Sequence, residues 1–270
     1  MSYRNFSVLL SVYHKEVPEY LDLALKSIVE QSYEPNEIVL VKDGPLTPDL
    51  DATINKWQDL LNERLKIVPI NSNVGLAMAL NLGLEYCQFE IVARMDTDDV
   101  SLPERFKMQF DFLEKNKHIS CVGALIEERD ESLTHKVKVR HVPEKHQDIV
   151  RFCQRRNPIS HPVAMFRKIH ALSVGGYPDV YPEDYFLWLK MIQSGYKFAN
   201  IQEVLLNMRT GNNFVSRRGY KFLKGEVEIY NFMLKTGFIG FWKWVTNVAI
   251  RAVVRLSPKY FKVLFYRLLR

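Results

Sequence analysis

Apolar residues along the first half of the chain follow two alternating rhythms. Short, nearly continuous apolar runs at residues 6–12, 37–41, 65–70, 89–95 and 120–127 read as strands buried on both faces. Between them, segments 18–31, 50–62, 75–86 and 102–115 repeat their apolar positions every three or four residues and read as helices. In the first of these, Tyr20, Leu23, Ala24, Ser27 and Ile28 share one face. Lys42-Asp43-Gly44-Pro45 breaks the second strand with a turn, and Pro103 sits in the first turn of the fourth helix. Strand-helix alternation of this kind predicts an α/β fold with a mostly parallel central sheet and helices on both of its faces.

The second half is less regular. Segments 137–142 and 162–166 read as strands, and 146–153 as a short helix. A helix over 183–195 is closed by Gly195, and 197–201 and 204–209 are extended. From residue 216 the pattern is helical and increasingly basic. The rhythm thus divides the chain into an α/β unit at 1–210 and a helical segment at 211–270.

Charge sharpens that division. The whole chain nets +6, yet from Gly237 onward it holds seven basic residues and no acid, so residues 1–236 net −1. The body therefore carries no general nucleic-acid footprint, and nucleic acid is not an expected partner. The three cysteines are widely spaced and lack metal-ligand spacing, which suits small buried hydrophobes in a reducing cytosol. The N-terminus lacks a basic region leading into an apolar signal segment, and no run of ~18 apolar residues predicts a membrane span.

The chemistry concentrates where the fourth strand ends, at Arg94-Met95-Asp96-Thr97-Asp98-Asp99. Three carboxylates within four residues repel one another. Hard divalent cations such as Mn²⁺ or Mg²⁺ prefer such oxygen donors and bridge them to phosphates. The carboxyl end of a strand in an open α/β sheet is also where ligands bind. Taken alone, the same cluster reads equally as a solvated acidic turn. Arg94 beside it balances charge, touches phosphate or forms a structural ion pair. Asp43, at the end of the second strand, can accept from a base or ribose, or simply make a turn. Asn73-Val74-Gly75 opens a helix whose free N–H groups suit an anion. Glu183-Asp184 is either a dipole-favoured helix start or a general base. His161 and Arg209 are candidates for phosphate or acceptor contact, the latter ahead of a flexible Gly211-Asn212-Asn213 loop.

In order, these segments resemble the inverting glycosyltransferase family 2, of the GT-A fold. The resemblance is carried by Ser11-Val12-Tyr13, by Ile38 to Gly44, and by Asn73 to Ala77 with Asn81 and Gly83. Ala93 to Asp99 and Glu183-Asp184 with Trp188-Leu189 complete it. It spans about residues 5–210 and is nearest to bacterial enzymes that assemble O-antigen or exopolysaccharide. It implies that Ser11, Tyr13, Asp43, Asn73, Arg94 and Asp96 hold a UDP-sugar donor. Asp98, assisted by Asp99, would ligate Mn²⁺ or Mg²⁺, and Asp184, paired with Glu183, would deprotonate an acceptor hydroxyl. Two departures stand out: Ser11-Val12 replaces a proline common in relatives, and Phe186 replaces a further acid. The reaction implied moves a hexose, glucose or galactose, with inversion to a β-linkage. The expected acceptor is a saccharide on a polyprenyl diphosphate.

In the tail, Phe241, Val245, Val248, Ala249, Ala252 and Leu256 line one helical face, opposite Lys243, Asn247, Arg251 and Arg255. Trp242, Trp244, Tyr260, Phe261 and Tyr266 add interfacial aromatics. A basic amphipathic helix with tryptophans predicts adsorption to the anionic inner face of the cell membrane. The competing expectation is a helix packed on the sheet. Two other functions fit less of the chain. A phosphohydrolase with Asp96 or Asp98 as nucleophile lacks a downstream lysine and acid set, and a membrane-adsorbed binding module leaves the acids idle.

Overall fold

The computed structural model describes residues 5–211 and 219–257. The first half follows the predicted alternation: β1 (Phe6–Val12), α1 (Pro18–Val29), β2 (Glu37–Asp43), α2 (Pro48–Leu61), β3 (Leu65–Ile70), α3 (Leu76–Tyr86) and β4 (Ile91–Arg94). Proline opens α1 and α2 where its missing N–H costs nothing, and Thr47 caps α2 by accepting from the Leu50 N–H at 3.3 Å. Then come β5 (Val100–Ser101), α4 (Arg105–Lys115), β6 (Ile119–Arg129), β7 (Lys136–Arg140), α5 (His146–Cys153), β8 (Met165–Arg167) and α6 (Lys168–Ser173). The described chain ends with α7 (Glu183–Gln193), β9 (Lys197–Arg209), α8 (Tyr220–Lys235) and α9 (Phe241–Leu256).

All of these strands join one sheet in the order β3-β2-β1-β4-β8-β6-β9-β5, with β7 paired to β6. The four strands of the first half pair in parallel. Beyond them β8 runs antiparallel to both β4 and β6, and β9 returns parallel to β6. The parallel ladder carries the carboxyl ends of β1, β2 and β4 to one edge, and the Asp43 and Asp96–Asp99 segments leave from there. The two extended runs expected at 197–209 form a single strand, with register shifts in its ladder to β6 around Ala124 and Leu125. The two-residue β5 and the short α6 were not legible from periodicity, because neither is long enough to show one.

One apolar core lies between the sheet and α1, α2 and α4, the other between the sheet and α3, α7 and α8. Cys87, Cys121 and Cys153 are free and buried. The division expected at residue 210 falls at the end of β9, but Ile229, Tyr230 and Met233 of α8 share the second core with Trp188 and Leu80. Among the described residues no helix is long and apolar enough to cross a membrane.

The structure gives the orientation of α9. Its polar stripe faces the body: the Asn247 amide donates to the Gln154 carbonyl at 2.8 Å, Arg251 to the Arg155 carbonyl at 2.7 Å, and Arg255 to Glu226 at 2.9 and 3.0 Å. Of these acceptors Glu226 is buried, and Arg255 neutralises it. The apolar side chains of Phe241, Trp242, Ile250, Val253 and Leu256 are left exposed. Tyr260, Phe261 and Tyr266 lie outside the described residues.

Candidate active site

Asp43, at the end of β2, is buried and organises its surroundings. One carboxylate oxygen accepts from the Val74 N–H at 2.7 Å. The other accepts from the Asn73 amide at 2.8 Å and the Gly75 N–H at 3.1 Å. Gly44 makes this approach possible: its φ is +87°, and a Cβ there would lie 2.7 Å from the Asn73 nitrogen. Ser11, Tyr13, Asp43, Asn73, Asp96, Asp98, Asp99 and Arg209 all line one cavity of about 720 Å³.

The acidic trio closes that cavity. One carboxylate oxygen from each of Asp96, Asp98 and Asp99 lies within 4.8 Å of the others. Burial, reinforced by Asp96, pushes Asp98 up to about 6, and burial with both neighbours lifts Asp99 well above its ordinary value. Asp99 accepts from the Arg209 N–H at 2.8 Å through one oxygen, while its other oxygen is buried without a hydrogen-bond donor. An all-oxygen donor set, mutual repulsion and an orphaned carboxylate oxygen together fit a hard divalent cation.

Two basic residues are held by the acidic segment. Arg94 is fully enclosed and ion-paired to Asp96. Burial works against its charge, but Asp96, aided by Tyr177 and Glu183, raises its basicity on balance. It lines a second cavity together with Asp96, which lines both. Arg209 ends β9 and is buried. It donates to the Asp98 carbonyl at 2.9 Å and to the Glu131 carbonyl, and lies 3.6 Å over the Tyr20 ring. Only its Nη2 is without an acceptor. Residues 212 and 213 of the expected closing loop lie outside the described residues.

The second cavity, about 300 Å³, adjoins the first: Leu76, Asp96, Tyr181 and Met208 line both. It holds Glu183 and Asp184 at the start of α7. Asp184 accepts from the Asn157 amide at 2.5 Å and from the Tyr185 N–H at 2.8 Å. Burial raises Asp184, while these bonds oppose the rise. Burial and the neighbouring Asp184 push Glu183 up to about 7. His161 Nδ1 lies 4.0 Å from Glu183, and its Nε2 lies 3.2 Å from the Tyr177 hydroxyl. Burial and Arg94 drive His161 well below its ordinary value, which favours the neutral ring beside the dyad.

Two positioning residues, Asn157 and Arg105, escaped the sequence reading, and a third, Asn81, was read without its partner. Asn157 contacts Asp184 across 27 positions of sequence. Asn81 clamps the loop before α7, donating to the Tyr177 carbonyl at 2.8 Å and accepting its N–H at 2.7 Å. Gly176 leaves room for that clamp, since a Cβ there would lie 2.3 Å from Asn81 Oδ1. Arg105, fully buried, donates to Gln109 and Ser101 at 3.1 Å each and to the Arg94 carbonyl at 2.6 Å, bracing the acidic segment from behind. Its only legible signal is a charge within the apolar stripe of α4.

A model of glycosyl transferase family 2 matches residues 7–172. The chain is 41% identical over 255 residues to the amylovoran biosynthesis glycosyltransferase AmsE of Erwinia amylovora, covering 94% of each. It is 34% identical over 264 residues to a UDP-Gal:alpha-D-GlcNAc-diphosphoundecaprenol beta-1,3-galactosyltransferase of Escherichia coli, covering 97% of this chain and 95% of that one. Two solved structures share the fold at a TM-score of 0.67. S. aureus TarS 1-349 in complex with UDP-GlcNAc is 18% identical, with 92% of this chain and 72% of that one covered. The mannosyltransferase PcManGT of Pyrobaculum calidifontis, with GDP-Man and Mn²⁺, is 17% identical, with 98% and 80% covered.

Proposed function

The chain belongs to glycosyl transferase family 2 and is a glycosyltransferase, and from that premise we propose that it transfers a hexose from a UDP-sugar with inversion. The acceptor is a saccharide carried on a polyprenyl diphosphate, and the pathway is bacterial surface or secreted polysaccharide assembly. The observation that carries this reading is the pair of adjoining cavities, one closed by an acidic trio and the other by a carboxylate dyad. The name of the Escherichia coli relative supports both the UDP-hexose and the lipid-linked acceptor.

In this reading Ser11, Tyr13, Asp43, Asn73 and Asp96 line the donor side, with Arg94 holding Asp96 in place. Asp98, with Asp96 and Asp99, would hold Mn²⁺ or Mg²⁺, which when bound supplies electrostatic stabilisation to a departing diphosphate. Asp184 accepts the proton of the acceptor hydroxyl as that oxygen attacks the anomeric carbon from the face opposite the leaving group. Asn157 aims the Asp184 carboxylate and favours its ionised form, and the elevated Glu183 beside it is coupled to it by charge. An α-linked donor then yields a β-glycoside.

Attachment to the cytoplasmic face of the membrane would run through the apolar face that α9 turns outward, making residues 211–270 the attaching segment. The test of the catalytic reading is Asp184→Asn. Transfer should fall by 10²–10⁴-fold, the usual worth of a general base, while UDP affinity stays as in wild type. Full turnover in that variant would end the assignment of the base.

A further inference from the structure

The second cavity continues past the dyad and becomes cationic. Arg140 and Arg156 line it and, from α9, so do Arg251 and Arg255; Arg140 donates to the Asn157 carbonyl at 3.3 Å, and its charge reaches Asp184. Glu226 is the acid that meets the two arginines of α9. Arg255 commits itself to Glu226 through two hydrogen bonds of 2.9 and 3.0 Å. Arg251 lies 3.3 Å from the same carboxylate and also donates to the Tyr230 hydroxyl. Among the described residues Arg156 has no carboxylate partner, and its guanidinium rests 5.5 Å from the Phe152 ring centre. Burial and the nearby Arg251 charge both work against Arg156 holding its proton, so the fold tolerates an under-neutralised cation there. Tyr181 and Phe222 supply an apolar wall beside it.

Arginines crowded into one concave wall repel one another until an anion arrives, and planar guanidinium groups suit phosphate oxygens. We propose that this arginine-lined end seats the diphosphate ester of the acceptor, so that α9 forms part of the acceptor site and holds the sugar hydroxyl toward the dyad. The inference rests on reading the dyad cavity as the acceptor side. The donor's own diphosphate is assigned to the other cavity, beside the trio.

The test is calorimetric titration of the full chain with decyl diphosphate, which carries no sugar, with UDP and Mn²⁺ present at saturation to fill the donor side. Wild type should bind it. Arg156→Gln and Arg140→Gln should each weaken binding at least tenfold and leave UDP affinity within twofold of wild type, which shows that they fold. Inorganic pyrophosphate should compete with decyl diphosphate, whereas decyl glucoside should not. The proposal is overturned if decyl diphosphate binds Arg156→Gln and Arg140→Gln as tightly as wild type, or if decyl glucoside competes as well as pyrophosphate, which would mark a merely apolar groove. No turnover enters this measurement. A chain that binds decyl diphosphate but transfers no sugar would fail the functional reading alone, and one that glycosylates neutral glycosides while ignoring decyl diphosphate would fail this inference alone.

Discussion

Asp98→Asn separates a cation-binding trio from a structural acidic turn, because the two make opposite predictions about stability. In the folded chain Asp98 titrates near 6, against an ordinary value of 3.8, chiefly through burial and then through Asp96. An unfolded chain gives up this proton about two pH units earlier. Between about pH 4 and 6 the folded state therefore binds more protons than the unfolded state, and stability falls as pH rises through that window. Above pH 6 the full cost of ionising Asp98 is present, about 3 kcal/mol at about 1.4 kcal/mol per unit. Solvent reaching the partly open side chain brings this nearer 2 kcal/mol. Asp98→Asn keeps the shape and removes the charge. In EDTA at pH 7.5 the variant should melt about 5 °C above wild type, at roughly 2–4 °C per kcal/mol for a chain of this size. With Mn²⁺ at a hundredfold excess over its dissociation constant, wild type should gain about 2.7 kcal/mol and overtake a variant that no longer responds. Scanning calorimetry of both proteins in both buffers reads the crossing. A variant that melts below wild type in EDTA, or that gains as much from Mn²⁺, refutes the reasoning.

Other consequences follow from the dyad and its supports. Burial and Asp184 push Glu183 up to about 7, so transfer should rise with pH through that value as the coupled dyad becomes fully ionised, and Glu183→Gln should move this limb to lower pH. The same elevated value has the opposite sign for stability: metal-free protein should lose stability as pH rises from about 4.5 to about 7, and Glu183→Gln should flatten that loss in urea titrations. Asn157→Ala removes a charge-assisted hydrogen bond from Asp184; kcat should fall about tenfold and the limb should shift upward, with little change in donor KM. Arg105→Met leaves the Arg94 carbonyl, Ser101 and Gln109 without their donor, and chemical denaturation should show a loss of about 3–5 kcal/mol. A triple change to serine at Trp242, Val253 and Leu256, exposed on α9, should abolish binding to anionic vesicles without lowering the melting temperature.

What the sequence disclosed was local. Strands of continuous apolar residues, proline-opened helices and turn glycines showed the first half of the fold, because each signal lies within a few residues of its effect. The Asp96–Asp99 and Glu183–Asp184 segments were legible for the same reason. The partners that tune them were not. Asn157 finds Asp184 across the fold, Asn81 reaches Tyr177 over 96 positions, and Arg105 looks like any helix charge until the Arg94 carbonyl is placed beside it. Arg209 was legible as the end of an extended run, but not its hold on Asp98 and Asp99, more than a hundred positions away. The periodicity of α9 revealed two faces but not which one turns inward. That choice was made by Glu226, Gln154 and the Arg155 carbonyl, acceptors from other elements that no helical pattern encodes.

The central claim is that the two cavities act together, a carboxylate dyad activating the acceptor while a trio-bound cation eases diphosphate departure. It is tested most directly by following UDP release from UDP-glucose and UDP-galactose with the purified chain and a lipid-diphosphate saccharide, in Mn²⁺ and again in EDTA. One of the two donors should give UDP and a β-glycoside in equal amounts with Mn²⁺, and chelator should abolish both. Turnover that continues undiminished in EDTA would contradict the account.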